Sequence, residues 1–456
     1  MIFVLLEAAC RVPLGQGGSM NRKLMLTTLL LLFAVAIGIK GYKIYQTQNP
    51  ILLEFGMFAG SNWEVANANS YVIIDKVIAQ FEEEHPGVKV HYTSGIRKTD
   101  YSEWYAQQVL KGKTPDVAMI LSDDFDTLVS LDVLENLDYM QSKDHSFHAE
   151  DFYTTALNTG KYQGAQYALP YETVPTLMFV NKSLLNHEGF LVPDSDWTWD
   201  DMYDICRRIT KDRDQDGIVD QFGTCNYSWQ EAAYSNGATL FDEDGKESYF
   251  TDQRVIDSVK FSKKLSDLNQ GQNVGQDKFD AGSVAFMPLT FADYRTYKTY
   301  PYKIKKYSTF KWDCITLPSG LDGDNVSEVN TLLMGIGKQS KQKELAWELL
   351  KLFTYNKDNQ LDIFRYSQGA SVLRNVTSSK EAEIILSEDT DERERVIDNA
   401  LLDVVIEKGV IAPKFNKYHE TMILAEGEIN KILTDDKNVE STLKIVQRNV
   451  TSLLKQ

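Results

Sequence analysis

Apolar positions along this chain recur in two rhythms, and their alternation lays out the elements. Ile51 to Phe58 reads as a first strand. Tyr71 to Glu84 then carries Val72, Ile73, Val77, Ile78 and Phe81 at helical spacing, until His85-Pro86-Gly87 stops it. Val88-Lys89-Val90-His91-Tyr92 alternates like a second strand. Tyr101 to Lys111 reads as a helix, and Thr114-Pro115-Asp116-Val117 opens a strand that runs to Leu121 and a polar turn at Ser122-Asp123-Asp124. Further on, helical spacing recurs at Trp199 to Thr210, with Thr198 or a neighbour as its cap, and at Asp252 to Leu268, Lys343 to Thr354 and Glu381 to Ile397. Phe279 to Leu289 reads as a strand leading into Thr290-Phe291-Ala292-Asp293-Tyr294. Strands alternating with helices predict an α/β fold with mainly parallel sheets.

At 456 residues the chain exceeds a single compact core, which predicts two large lobes. Its net charge of -17 repels a polyphosphate chain and argues against nucleic acid as a partner. Near the start, Asn21-Arg22-Lys23 precedes the apolar run Leu24 to Ile39, and Lys40 and Lys43 follow it, the layout of an export signal. Met20 reads as the true start. Ala34-Val35-Ala36 fits a signal-peptidase site but lies inside the apolar run, so cleavage and an uncleaved membrane anchor both stay open. Of the cysteines Cys10, Cys206, Cys225 and Cys314, three lie beyond the leader and form no CxxC, so they read as buried free thiols rather than a disulfide framework.

One stretch carries more than periodicity. From Tyr167 to Asp204, Ala168-Leu169-Pro170 leads into an apolar strand ending Met178-Phe179-Val180-Asn181-Lys182, followed by Trp197-Thr198-Trp199-Asp200-Asp201. With Phe81-Glu-Glu-Glu-His-Pro-Gly-Val-Lys-Val90, Trp312-Asp-Cys-Ile-Thr-Leu-Pro318, Gly335-Ile336-Gly337 and Ala346-Trp347-Glu348-Leu349-Leu350-Lys351-Leu352-Phe353, the order of phrases resembles extracellular solute-binding protein family 1, the maltose-binding-protein-like sugar receptors of ABC importers. The resemblance runs over residues 51 to 430 as short matched phrases in shared order.

It implies a two-lobed periplasmic-binding-protein-like (type II) clamshell whose interlobe hinge crossings flank a ligand cleft. Residues 1–50 are then a leader, signal or N-terminal anchor with its linker. Residues 51–170 form an N-lobe to which 316–354 return, and 171–315 form a C-lobe to which 355–456 return. The implied partners are a sugar ligand and the transmembrane subunits of an ABC permease, for a monomer on the extracellular face of the cytoplasmic membrane or secreted. The family's habitual lipid-bearing Cys is missing between Leu24 and Cys206.

Sugars present hydroxyl rims and apolar faces, so their sites need aromatic platforms beside hydrogen-bonding side chains. Trp63 follows the first strand, Tyr171 sits at the hinge, Tyr227 and Trp229 follow Gly223, and Phe291 and Tyr294 follow the Phe279 to Leu289 strand; all six lie near expected cleft-facing loops. Core packing is the competing account of each. Asp123, at a strand end where α/β ligands sit, matches a cleft aspartate of the family, with a helix cap as the alternative.

Asp212, Asp214, Asp216 and Asp220 occupy positions 1, 3, 5 and 9 of a calcium loop, with Gly217 at the sharp turn and the Ile218 carbonyl at position 7. Position 12 is Gly223 rather than Glu, so the spacing admits either a structural calcium or a self-bonded Asp/Gly turn. No other cofactor is indicated. With six His, no HExxH, no GxSxG and no P-loop, a catalytic reading has little to stand on. A non-enzymatic receptor is expected, its rivals being an extracellular sensor ectodomain and a polysaccharide-active hydrolase or lyase.

Overall fold

The computed structural model describes residues 50–455 except 64, 243, 298–309, 389–396, 414 and 416. The leader expected at Leu24 to Ile39 lies outside the described residues, among which no helix is long and apolar enough to cross a membrane. The chain forms two compact units, Met1–Leu53 with Gln80–Val90, and Glu54–Ala79 with His91–Gln456. In the described part of the first, Ile51 N donates to Gly87 O at 2.8 Å, and Glu82 accepts from Val90 N at 3.0 Å while pairing with Lys89.

Among the described residues, eleven strands occur in chain order: β1 (Ile51–Gly56), β2 (Val88–Tyr92), β3 (Val117–Ile120), β4 (Lys161–Tyr162), β5 (Ala165–Gln166), β6 (Ala168–Asn181), β7 (Phe222–Thr224), β8 (Val284–Thr290), β9 (Trp312–Ile315), β10 (Val329–Ile336) and β11 (Ala370–Ser371). In the larger unit the sheet runs β1-β3-β10-β6-β8-β7, with β9 and β11 also on β6. β1 with β3 and β7 with β8 are the parallel pairs of this run, while β6 and β10 bring antiparallel ones. The sheet is therefore mixed: the alternating strand and helix pattern accounts for its parallel flanks, and the strands that cross its middle supply the antiparallel pairs.

β6 organises everything else. Its first part pairs with β10 from Ala168↔Gly335 to Pro175↔Val329, and its second with β8 from Thr176↔Thr290 to Val180↔Phe286. One strand thus belongs to two halves of the sheet, and the change of partner falls between Pro175 and Thr176. Proline has no N–H to give a ladder and is rare in central strands, so its place at this seam has a physical cause. The chain returns across the seam between β9 and β10, where Thr176 N donates to Glu328 O at 3.2 Å, and again near Val410, whose N–H reaches Ser327 O at 2.9 Å.

The first half is covered by the helix Lys343–Thr354, with Phe353 stacked on Phe55 at 4.9 Å. In the second half, Trp199 opens the helix Trp199–Ile209 and stacks on Phe261 at 4.4 Å with the planes 5° apart. Thr198 and Asp201 form the capping box at that helix start, as the sequence indicates. Burying each such ring contributes about 1.5–3 kcal/mol.

Two sequence expectations shift. The strand expected from Phe279 begins only at Val284, because Gln276–Asp280 is helical and Gly282, at φ +84°, turns the chain between them. Residues 355–388 and 397–407, expected to return to the C-lobe, contact the first half as well: β11 pairs with Glu172 and Thr173, Lys76 pairs with Asp362, and Tyr153 donates to Asp403 at 2.9 Å, while Phe364 and Ile397 reach Phe291 and Tyr294 of the second half. The helices Tyr418–Asp435 and Val439–Leu454 join the second half, packing Ile429 and Leu443 among Trp229, Phe241 and Phe250. Periodicity marks a helix but not which half it covers. Cys206, Cys225 and Cys314 are buried free thiols.

Candidate functional site

The seam strand carries one residue out of keeping with its surroundings. Every position of β6 is buried except half-buried Thr176, yet Glu172 lies in its middle with 3% of its surface exposed. Opposite it the register slips: Leu332 faces Glu172 while Leu333 faces Pro170, which leaves Tyr171 unpaired in a bulge. Glu172 Oε1 accepts from the Trp63 indole Nε1 at 2.8 Å, Oε2 accepts from Ser367 Oγ, and the carboxylate also accepts from the Gly369 N–H. Burial pushes its carboxyl up to about 7 against the opposing effect of those three bonds.

Trp63 stands half-buried in the loop between β1 and the helix Ser70–Glu84, its own N–H bonded to Ser61 Oγ at 3.0 Å. The loop is fixed at its start by Ala59 N donating to Ile96 O at 2.7 Å and at Asn62, whose carbonyl accepts from Lys98 Nζ at 2.5 Å. Phe58, Asn62, Asn67, Tyr171, Glu172, Tyr366 and Ser367 line a recess with about 20 Å³ of free space. In this state it has room for about one water rather than a sugar ring. Amides, hydroxyls and aromatic rings meet there, the mixture a polyhydroxylated ligand requires.

Of the seven binding residues expected from sequence, Trp63 bonds to Glu172 and Tyr171 lines the recess beside it. Tyr171 is nonetheless 4% exposed, set edge-on to Phe353 at 6.2 Å, with its carbonyl accepting from Gln360 Nε2 at 2.9 Å. Asp123 is exposed in the first turn of the helix Ser122–Ser130, just beyond β3. The Tyr418 hydroxyl is raised to about 12 by burial first, then by the negative charges of Glu328 and Asp123, so Asp123 lies within electrostatic reach of the second half.

The other four were expected on cleft-facing loops, and the structure places them in the core. Tyr227 packs edge-on to Phe261 at 6.0 Å, and its hydroxyl accepts from Trp199 Nε1 at 3.3 Å beside Ser235 Oγ. Trp229 is 2% exposed, packed by Phe250 and the C-terminal helices, and its indole N–H has no hydrogen-bond partner among the described residues. Phe291 and Tyr294 are fully buried, stacked on one another at 5.7 Å and flanked by Phe364 and Trp312 respectively. Rings enclosed in this way leave no face for a ligand.

In the acidic loop, ligand oxygens of Asp212, Asp214 and Asp216 lie within 4.8 Å of one another, and Gly217 takes φ +91° at the sharp turn. Asp212 accepts from Gln215 N and Gly217 N, both at 2.7 Å, and Asp220 accepts from Arg213 N at 2.9 Å. Gly223, at the twelfth position, is set by packing: a Cβ there would lie 2.4 Å from Cys206 Cα, so no glutamate fits.

Residues 66–360 match the family model of the bacterial extracellular solute-binding protein. The chain belongs to this family. Its fold is that of the type II two-lobed binding proteins. An ABC substrate-binding protein of Listeria monocytogenes, solved with cycloalternan, is 18% identical with a TM-score of 0.66, over 89% of this chain and 99% of that one. The cyclic alpha-maltosyl-1,6-maltose binding protein of Arthrobacter globiformis is 14% identical with a TM-score of 0.73, over 89% and 99%. The sugar-binding protein MalE of Xanthomonas citri is 15% identical with a TM-score of 0.72, over 89% and 97%.

What the sequence reading of this solute-binding protein missed is Glu172 itself, with Asn62, Asn67 and Ser367 around it. A signal was available: a lone carboxylate inside the apolar run Ala168 to Val180 has to be partnered or functional.

Proposed function

We propose that this solute-binding protein is the receptor of an ABC importer and captures an oligosaccharide between its two lobes for delivery to the permease, without altering it. The observation that carries this reading is one strand, β6, shared by both halves of the sheet with an aromatic and amide-lined recess beside the seam. Closing on a ligand draws its energy from differential affinity for the closed form. The family's location supports a body outside the cytoplasmic membrane, held there by an N-terminal anchor or released as a secreted monomer.

The test is thermal unfolding of the full chain against a panel of oligosaccharides, beginning with linear and cyclic α-glucans. A ligand at a hundred times its Kd is expected to stabilise by about 2.7 kcal/mol. Trp63→Ala is expected to weaken the best ligand about tenfold or more while leaving the unliganded protein folded. Recovery of the sugar as cleaved product, or an equal shift in the variant, would sink the reading of a receptor with Trp63 as its platform.

For the acidic loop we propose a structural calcium held by Asp212, Asp214 and Asp216, with the Ile218 carbonyl and Asp220 completing the set. Oxygens gathered within 4.8 Å suit an ion that takes ligands at about 2.3–2.6 Å. Saturating calcium is expected to stabilise the protein by about 1–3 kcal/mol. The gain should vanish in the Asp212→Asn/Asp216→Asn double variant; an undiminished gain there would place the ion elsewhere.

A further inference from the structure

We propose that Glu172 is a positioning residue: its carboxylate, fixed in the seam strand, holds the Trp63 indole and the Ser367–Gly369 segment together, so that the setting of the indole follows the charge of that one group. The proposal stands on three donors converging on a side chain that is 3% exposed. They come from three separate parts of the chain: the loop after β1, the end of the helix Lys357–Tyr366, and the approach to β11. Gly369 is held close by the same contact, since a Cβ there would lie 3.0 Å from Glu172 Oε2. No described lysine or arginine pairs with this carboxylate, so hydrogen bonds alone offset its burial.

An ionised carboxylate only accepts, which matches three donors. Adding a proton puts an O–H among them, and neither the indole N–H nor the Gly369 N–H can turn round to accept it. Only the Ser367 hydroxyl can rotate. Protonation therefore converts the charge-assisted bond to Trp63 into a weaker neutral one. The folded-state value near 7 lies above the ordinary carboxylate value of 4.5, so the folded form takes up the proton first. Between those values the unfolded chain is ionised and the folded chain is not, so stability falls as pH rises through this window. Keeping Glu172 charged above neutrality costs stability, and the compensating structure is the grip on Trp63.

Other titratable groups surround it. Tyr171 neighbours it in β6; Asp362, Arg365 and Tyr366 lie on the helix Lys357–Tyr366; Lys76 lies on the helix Ser70–Glu84; Lys98 holds the Trp63 loop at Asn62. Asp362 is paired with both Lys76 and Arg365, and burial raises Tyr171 well above its usual range.

That Trp63 serves a ligand rests on the function proposed above, so the experiment reads Trp63 with no ligand added. The full chain is labelled with fluorotryptophan, the Trp63 resonance is assigned from Trp63→Phe, and fluorine NMR is followed between about pH 5.5 and 8.5. In the wild type the Trp63 resonance is expected to move with a midpoint at about 7, and in Glu172→Gln to stay fixed. Ser367→Ala, which removes one bond to the charged form, is expected to raise the midpoint, and it carries the test if the glutamine variant does not fold. A Trp63 resonance that is flat in the wild type, titrates equally in Glu172→Gln, or keeps its midpoint in Ser367→Ala overturns the proposal.

Discussion

Replacing Gln360 by leucine is expected to destabilise the folded chain by about 3 kcal/mol or more, since a stranded buried polar group costs about 1–3 kcal/mol and this change strands several. Gln360 is fully buried in the helix Lys357–Tyr366. Its Nε2 donates to Tyr171 O at 2.9 Å and Phe353 O at 3.0 Å, and its Oε1 accepts from Ser371 Oγ at 2.8 Å and Val372 N at 3.1 Å. One amide thus ties the bulge of β6 to a covering helix and to β11. Leucine fills the volume but leaves two carbonyls, an N–H and a hydroxyl without their partner. Urea unfolding with an unchanged slope measures the loss. A change below about 1 kcal/mol would mean that these groups find other partners, and that the bulge is not held through Gln360.

Gly323→Ala is expected to cost about 3 kcal/mol, the upper end for overpacking, because the contact it crowds is backbone against backbone. Gly323 lies in the return from β9 to β10, where a Cβ would stand 1.9 Å from Ser235 O and 2.7 Å from Asn236 Cα. No rotamer change relieves such an overlap. The neighbouring contacts are as close: Gly320 N donates to Ser235 O at 2.9 Å, and Asp322 N donates to Asn236 Oδ1 at 3.1 Å. Gly427→Ala provides the contrast, since a Cβ there meets nothing within 4 Å. In the interior of the helix Tyr418–Asp435 it is expected to be neutral or to stabilise by up to about 1 kcal/mol. Equal effects of the two substitutions would show that the return segment is not packed as described.

Much of the fold was legible because local signals and tertiary need agree. The Thr198 cap, the helical spacing of Val72 to Ile78 and the apolar run ending at Asn181 each indicate an element that is present. The parts that were not legible are those where a local pattern is silent about partners. Helix Lys357–Tyr366 is as amphipathic as others, and only the Gln360, Asp362 and Phe353 contacts set it against the first half. Tyr227, Phe291 and Tyr294 follow strands along the chain, yet which face of a ring is covered depends on residues such as Phe261 and Trp312 that are distant in sequence. Trp63 stood out because it follows the first strand, near an expected cleft-facing loop. Glu172 was overlooked because the eye follows the apolar rhythm of β6 and passes over its single exception.

Pro175 gives the long strand a weak rung. Its ring nitrogen holds no hydrogen, so Pro175 offers no donor at the step where the ladder passes from β10 to β8. A rotation of one half about that step has no donor bond to break at Pro175, whereas any other residue there would bring an N–H that has to be satisfied on both sides of the movement.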